Sequence, residues 1–312
     1  MEPKPKKKNI DKKNKQLTES AVLIAVGLVF ILIGSYLPVL SIFVFFAAVP
    51  VIVITYRNGR GMGAVFGLIM ALLLAILVHP VHSITMYLLF FIPGLAMGFH
   101  MTRRRDPFYV IFAGFLVMTG TLMAYLQVLN LFFDFNIVQQ MQASITEYME
   151  IQKEYLQGIP IDARQLLASF HTMFPAFLLS FTLFLSFLNY FASVSLMRRL
   201  GEPRELGTLV EFSLPGNVPL ILLLIYILMT LLKNTAYPYF GELQSNLLAV
   251  FGVLFFLQGV AVIAYFMTYM RLSGLARIVV WGCLIFLAPI SGFVPIVGLI
   301  DAAFNFRKLS RR

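Results

Sequence analysis

Side chains able to do chemistry are few in this 312-residue chain, and they are seldom paired. A zinc protease needs His-Glu-x-x-His, which puts two imidazoles and a base on one helical face, and none occurs. No Gly-x-Ser-x-Gly exists, and the last three apolar runs contain no His to activate a serine there. Asp301 is the only acid well inside an apolar run, whereas an intramembrane aspartyl protease needs two carboxylates sharing a proton. Its surroundings, Gly298-Leu-Ile-Asp301, are one residue short of Gly-x-Gly-Asp. The glycine-rich stretch Gly59-Arg-Gly-Met-Gly-Ala-Val-Phe-Gly67 lacks the Lys and Ser/Thr that a phosphate loop requires. Catalysis by this chain is therefore not expected, and no cofactor or metal centre is assigned.

The remaining polar groups fit binding better. Gln127, Asn130 and Asp134 recur at i, i+3 and i+7, so the end of one helix carries a polar face. At such a depth polar groups face a bundle interior or a wet cavity, or the helix end simply emerges into water. His79 and His82 lie at the ends of neighbouring helices and would stand near the mouth of such a cavity; no Cys, Asp or Glu nearby completes a metal ligand set. Asn189 and Gln258 are amides isolated within long apolar runs and read as interhelical hydrogen bonds. Ala21 and Ala25 on the first helix, and Gly63 and Gly67 on the third, share the small-xxx-small spacing that lets helices approach closely, which makes them candidate helix-docking faces.

The elements that must position these groups are membrane helices. The chain is 60% apolar and only 12% charged, against about 25% charged in ordinary soluble domains. Apolar runs at 17–36, 39–56, 61–78, 83–101, 107–133, 166–197, 218–232, 244–270 and 278–306 are each read as helical. Between the fifth and sixth, Ile137, Met141, Ile145, Tyr148, Met149 and Leu156 alternate with Gln139, Gln142, Glu147, Glu150 and Glu154 as an amphipathic helix, suited to lie on a membrane or cover a cavity. The net charge is +10, and half of it sits in residues 1–16, where seven lysines face Glu2 and Asp11. That tail has no aromatic or Arg side chain for base recognition, so nucleic acid is excluded and attraction to anionic headgroups is expected. The single Cys283 gives no disulfide framework.

Orientation follows from the cations. With the N-terminus cytoplasmic, all of the 24 Lys and Arg fall inside except Lys153, Arg164 and Lys233, provided that the last run is a hairpin. Ala288-Pro-Ile-Ser-Gly-Phe-Val-Pro295 is where that run would break, returning Arg307, Lys308, Arg311 and Arg312 to the cytoplasm. The expected organisation is a basic tail (1–16), a bundle (17–200) with an external insertion (134–165), a cytoplasmic linker (201–217), further membrane helices (218–306) and a second basic tail (307–312).

The ending Gly298-Leu-Ile-Asp301-Ala-Ala-Phe-Asn-Phe306-Arg307 resembles the closing Gly-Leu-x-Asp…Phe-Arg pattern of the YybS-like family of polytopic bacterial membrane proteins, and the likeness spans almost the whole chain. Residues 17 to about 197 are also similar to the S components of energy-coupling-factor transporters, through Ala21-Val-Leu-Ile-Ala25, Pro50 and Tyr56-Arg-Asn-Gly59…Gly63…Gly67. That resemblance implies an Ala-xxx-Ala docking surface for a transmembrane coupling subunit, separate ATPases and a small molecule bound near the outer side. The expected fold is an all-α polytopic transmembrane bundle: six S-component-like helices, two more and a terminal short hairpin. The expected function is a small-molecule-binding transporter component in a bacterial cell membrane, with both termini cytoplasmic; the alternative is a non-transporting scaffold or interaction protein.

Overall fold

The computed structural model describes residues 6–103, 106–153, 163–202, 206–232 and 240–309. Lys4, Arg104, Arg105, Glu154, Leu156, Arg204, Lys233, Ser310, Arg311 and Arg312 lie outside the described residues. The helices are α1 (Lys6–Tyr36), α2 (Val49–Asn58), α3 (Arg60–Leu77), α4 (Pro80–Met86), α5 (Ile92–Arg103), α6 (Pro107–Phe133), α7 (Ile137–Lys153), α8 (Ala163–Arg199), α9 (Val218–Leu232), α10 (Phe240–Tyr269), α11 (Gly274–Phe286) and α12 (Ala288–Phe304). Seven helical stretches are long and apolar enough to cross a bilayer, and α11 with α12 forms a bent pair that passes the same test together. The protein is a polytopic helical membrane protein.

Prolines set the irregularities. The second apolar run is not one α-helix: Pro38–Phe46 winds as a 3₁₀ helix, and α2 begins only at Val49 with Pro50 as its second residue. A proline disfavours α geometry in the residue before it, so the α-helical ladder restarts there. Ahead of Pro93, Tyr87–Phe91 is π-helical, and Ile92 N–H reaches back to Tyr87 O. The last run breaks at Leu287, which is extended (φ −105°, ψ 91°), and turns by 101°. Only Pro289 acts at that break, near the start of α12; Pro295 sits inside the helix, where the expectation had it share in the interruption.

The chain divides into two compact units, one of Met1–Leu122 with Leu185–Thr208 and one of Met123–Phe184 with Leu209–Arg312. In the first, α2 is central, with Val49 through Thr55 all buried. Its neighbours meet it on glycines. A Cβ on Gly98 of α5 would lie 2.7 Å from Ile52 O, and one on Gly63 of α3 would collide with Thr55 Oγ1. Gly27 of α1 faces Pro50 as closely, while Val22, Val26 and Val29 of the same helix point outward. Leu68, Leu72 and Ile76 of α3 are also exposed. Small residues inside and large apolar ones outside is the arrangement expected when lipid, not water, is the solvent.

The second unit is organised on α10. Gly259 of α10 faces the Val294 backbone of α12, and Gly298 faces Phe255 O, so these two helices touch almost backbone to backbone. Pro175 sits inside α8, and the bond from Ala176 N–H to Thr172 O is replaced by a side chain: Ala176 N–H donates to Asn246 Oδ1 (2.8 Å), and Asn246 Nδ2 donates to Thr172 O (2.7 Å). A neighbouring amide thus satisfies backbone groups that would otherwise be stranded in hydrocarbon. Asn136 caps α7 by accepting from Val138 N–H and Gln139 N–H. Along α7, Ile137, Met141, Ile145 and Met149 are half-buried and Gln139 and Glu147 exposed, whereas Tyr148, expected on the apolar face, is exposed and Gln142, expected on the polar one, is half-buried.

Candidate functional site

Three groups of polar side chains stand out in the two units. The first is where the ends of α2, α5 and α8 meet residues 16–20 of α1. Arg57 bridges two carboxylates, 3.0 Å from Glu19 and 2.7 Å from Glu202. Beside it Asn58 Nδ2 donates to the buried Ser20 Oγ (2.7 Å). Gln16, Tyr56, Arg57, Asn58, Thr102 and Glu202 line an open polar cleft of about 480 Å³ here. Glu202 reaches Arg57 because Gly201, at φ +81°, turns the chain at the end of α8, where Glu202 N–H bonds to Met197 O. From the sequence, Tyr56-Arg-Asn-Gly59 carries the likeness to S components and Arg57 counts as a cytoplasmic cation, and no site is expected there. The signal for a cluster was available in the polar residues that begin and end these apolar runs.

The second group lies along α8. Ser186, Asn189 and Ser193 repeat at i, i+3 and i+7, so one face of an otherwise apolar helix is polar, and all three are completely buried. Asn189 Nδ2 donates to Phe45 O at the end of the 3₁₀ helix (2.8 Å) and to Leu185 O (2.9 Å). The amide is thus an interhelical hydrogen bond, as its isolation suggested. Its own oxygen, however, has no partner, nor have Ser186 Oγ and Ser193 Oγ. An unfilled buried acceptor costs about 1–3 kcal/mol, so three on one helical face call for an explanation.

The third group is the ionic network of the second unit. Asp301 Oδ2 accepts from Arg307 Nη2 (2.8 Å), Arg307 Nε (3.1 Å) and Gln258 Nε2 (2.6 Å). The guanidinium also donates to Val210 O (2.9 Å) and Phe212 O (2.8 Å), while Gln258 Oε1 accepts from Leu214 N–H (3.0 Å). Gln258, Asp301 and Arg307 are 0%, 1% and 4% exposed. Asn305, at φ +50°, reverses the chain after α12 and brings Arg307 back over Asp301; its side chain then closes the turn on Leu309. Asparagine tolerates this left-handed conformation better than most residues. Gln258 and Asp301 were each legible as isolated polar groups, but their pairing, and the part played by Arg307, were not. Because the ion pair is fully satisfied, its role is to hold α10, α12, the 209–214 segment of the connector and the C-terminal turn together.

The residues singled out from spacing are placed as follows. Gln127 and Asn130 are exposed on α6 within the second unit, and Asp134, also exposed, ends that helix at φ +49°. His79 and His82 belong to the first unit. His79 Nδ1 accepts from Val81 N–H as the cap of α4, and His82 Nε2 is 3.1 Å from Ser35 Oγ. Ala21 and Ala25 are exposed on α1, beside the packed face of Ser20, Ile24, Gly27 and Ile31. Gly63 packs within the chain, against Thr55 and Leu95, and Gly67 is in ordinary contact with Val51 and Phe91.

The closing Asp301 and Arg307 lie in one network, and the family whose ending they resemble is matched along the chain. A model described as "Predicted membrane protein (DUF2232)" covers residues 25–302. The chain belongs to that family. It is 24% identical to the "Uncharacterized protein YybS" of Bacillus subtilis (strain 168) over 309 residues, which is 95% of this chain and 98% of that one. No solved structure matches. Neither comparison carries the likeness to S components.

Proposed function

We propose that this chain is a small-molecule-binding component of a membrane transporter, acting in the manner of an energy-coupling-factor S component. What supports this reading is the buried face of α8, where Ser186 Oγ, Asn189 Oδ1 and Ser193 Oγ have hydrogen-bonding capacity unused by the protein. Polar side chains inside a membrane bundle mark substrate pathways more often than random placement would, because each is costly unless it has a use. A small polar molecule that donates hydrogen bonds would use that capacity. Under this proposal Ala21 and Ala25 form the surface for a coupling subunit, since Leu or Val in their place would hold a partner helix further off. Gln127, Asn130 and Asp134 at the end of α6, and separately His79 and His82 in the first unit, are further candidate polar contacts. Energy comes from separate ATPases, because Gly59–Gly67 carries no nucleotide motif. The chain itself performs no catalysis. The exposure of Gln127, Asn130 and Asp134 favours the second reading, a non-transporting scaffold.

Native mass spectrometry of the protein purified from its own host separates the two. The transporter reading expects a bound metabolite and a membrane partner. Ser193→Ala should lose the metabolite while leaving the melting temperature unchanged or raised, because it removes an unpartnered buried hydroxyl. Ala21→Leu and Ala25→Leu should lose the partner without unfolding. A parent protein that carries partners but never a small molecule leaves the scaffold standing; unchanged partners in both Leu variants remove α1 as the docking surface.

The proposed setting is the cell membrane with both termini cytoplasmic and residues 134–165 outside, from the distribution of cations. A cysteine placed at Ser310 should resist an impermeant thiol reagent in intact cells. Labelling there would reverse the placement of the C-terminus.

A further inference from the structure

A different pair of cations remains uncompensated. Gly59, at φ +87°, ends α2 and lets α3 start at Arg60, so that Arg60 stands at the first position of one apolar span. Arg103 stands at the last position of another, Pro80–Arg103. The two ends meet on one ring: the Arg60 guanidinium carbon is 3.1 Å, and that of Arg103 4.3 Å, from the centre of Phe99. Phe99 lies one turn before Arg103 on α5 and so is carried by the same helix as one of the cations. Both guanidinium groups are exposed, and among the described residues neither is within ion-pair distance of a carboxylate. Arg57, three residues before Arg60, shows the contrast, since its charge is met by Glu19 and Glu202.

Stacking on an aromatic face fixes the plane of a guanidinium while leaving its N–H donors free at the rim. Two such forks held on one ring therefore present N–H donors and two positive charges, already ordered, at the end of membrane spans where headgroups lie. An arginine used only to anchor a helix end would need neither a shared ring nor a second cation beside it. Phosphate is the anion whose geometry suits planar forks, and an ionised acceptor roughly doubles the strength of each bond. We propose that Arg60 and Arg103, held by Phe99, bind a phosphate group, in the first place that of an anionic phospholipid headgroup. A free phosphate anion offers the same chemistry, and the experiment separates the two sources.

The full-length protein in neutral detergent is titrated with short-chain phosphatidylglycerol, short-chain phosphatidylcholine and inorganic phosphate, with bound adducts read by native mass spectrometry. Phosphatidylglycerol should bind more tightly than phosphatidylcholine. Arg60→Gln and Arg103→Gln should each weaken it at least tenfold, and Phe99→Leu, which keeps both charges, several-fold. Arg199→Gln, which removes an exposed charge at the end of α8, should leave it unchanged. Inorganic phosphate bound as tightly as the lipid, with the same arginine dependence, would support the phosphate site and overturn the lipid as its occupant. Phosphatidylglycerol binding that persists in the Arg60→Gln/Arg103→Gln protein overturns the site. If that double variant fails to keep the parent's helical circular dichroism, Arg60→Lys/Arg103→Lys decides: unchanged affinity in a folded lysine variant refutes the stacked-fork geometry, and a loss supports it.

Discussion

Replacing Arg307 with methionine will destabilise the second unit by about 3–5 kcal/mol, the usual consequence of leaving one charge of a buried ion pair alone. Asp301 would lose both guanidinium bonds while keeping Gln258 Nε2, and Val210 O and Phe212 O would lose the guanidinium donors. Asp301→Leu leaves the guanidinium uncompensated and should cost a similar amount. The double variant Asp301→Leu/Arg307→Met should be more stable than either single one, since two buried charges leave together. It should not return to the parent's stability, because Val210 O and Phe212 O lose the guanidinium donors and Gln258 Nε2 loses the Asp301 carboxylate. The measurement is detergent unfolding of the purified protein followed by circular dichroism. Single variants that unfold with the parent would show that the network does not hold the unit together.

The second large effect is expected at Gly298. A Cβ there would meet Phe255 O and stand 2.6 Å from Gly259 N and 2.9 Å from Phe255 C. These are backbone atoms of α10, so no rotamer change can make room. Gly298→Val should therefore cost at least the 1–3 kcal/mol typical of overpacking, and push α12 off α10. Gly292 lies on the same helix with nothing within 4 Å of its Cβ position. Gly292→Ala should be neutral or gain about 0.5–1 kcal/mol from the reduced freedom of the unfolded chain. Equal melting of the two variants would mean that the α10–α12 contact opens without consequence.

Asp301 and Arg307 also show where a sequence stops being readable. An acid alone in an apolar run is conspicuous, and an arginine six residues on looks like one more cytoplasmic cation. That the two meet depends on Asn305 adopting a left-handed conformation, which is a local choice, and on the carbonyls of Val210 and Phe212 being nearby, which is not. Gln258 could be foreseen as an interhelical hydrogen bond but not its partner, because an amide names no distance along the chain. Asn189 is conspicuous in sequence as a lone amide, while Ser186 and Ser193 beside it are not; only packing reveals that Asn189 Oδ1, Ser186 Oγ and Ser193 Oγ find no partner. Conversely, the spacing of Gln127, Asn130 and Asp134 reads as one polar face, but α6 ends at Phe133 with Asp134 left-handed beyond it, and the exposure of all three is decided by what packs around α6.

The sequence by itself determined that this is a membrane protein of many helices, and nearly where each begins and ends. Hydrocarbon demands about 20 apolar residues per crossing and a satisfied backbone, and both demands are written locally in composition and in the positions of proline and glycine. Tertiary structure alone decided which polar groups meet: Arg57 with Glu19 and Glu202, Asp301 with Arg307, and Arg60 with Arg103 on Phe99. Between helices in lipid there is no hydrophobic drive to fix a register, so close approach at glycines such as Gly98, Gly259 and Gly298 sets it. A glycine marks the possibility of contact in sequence, but the backbone it admits comes from elsewhere in the chain.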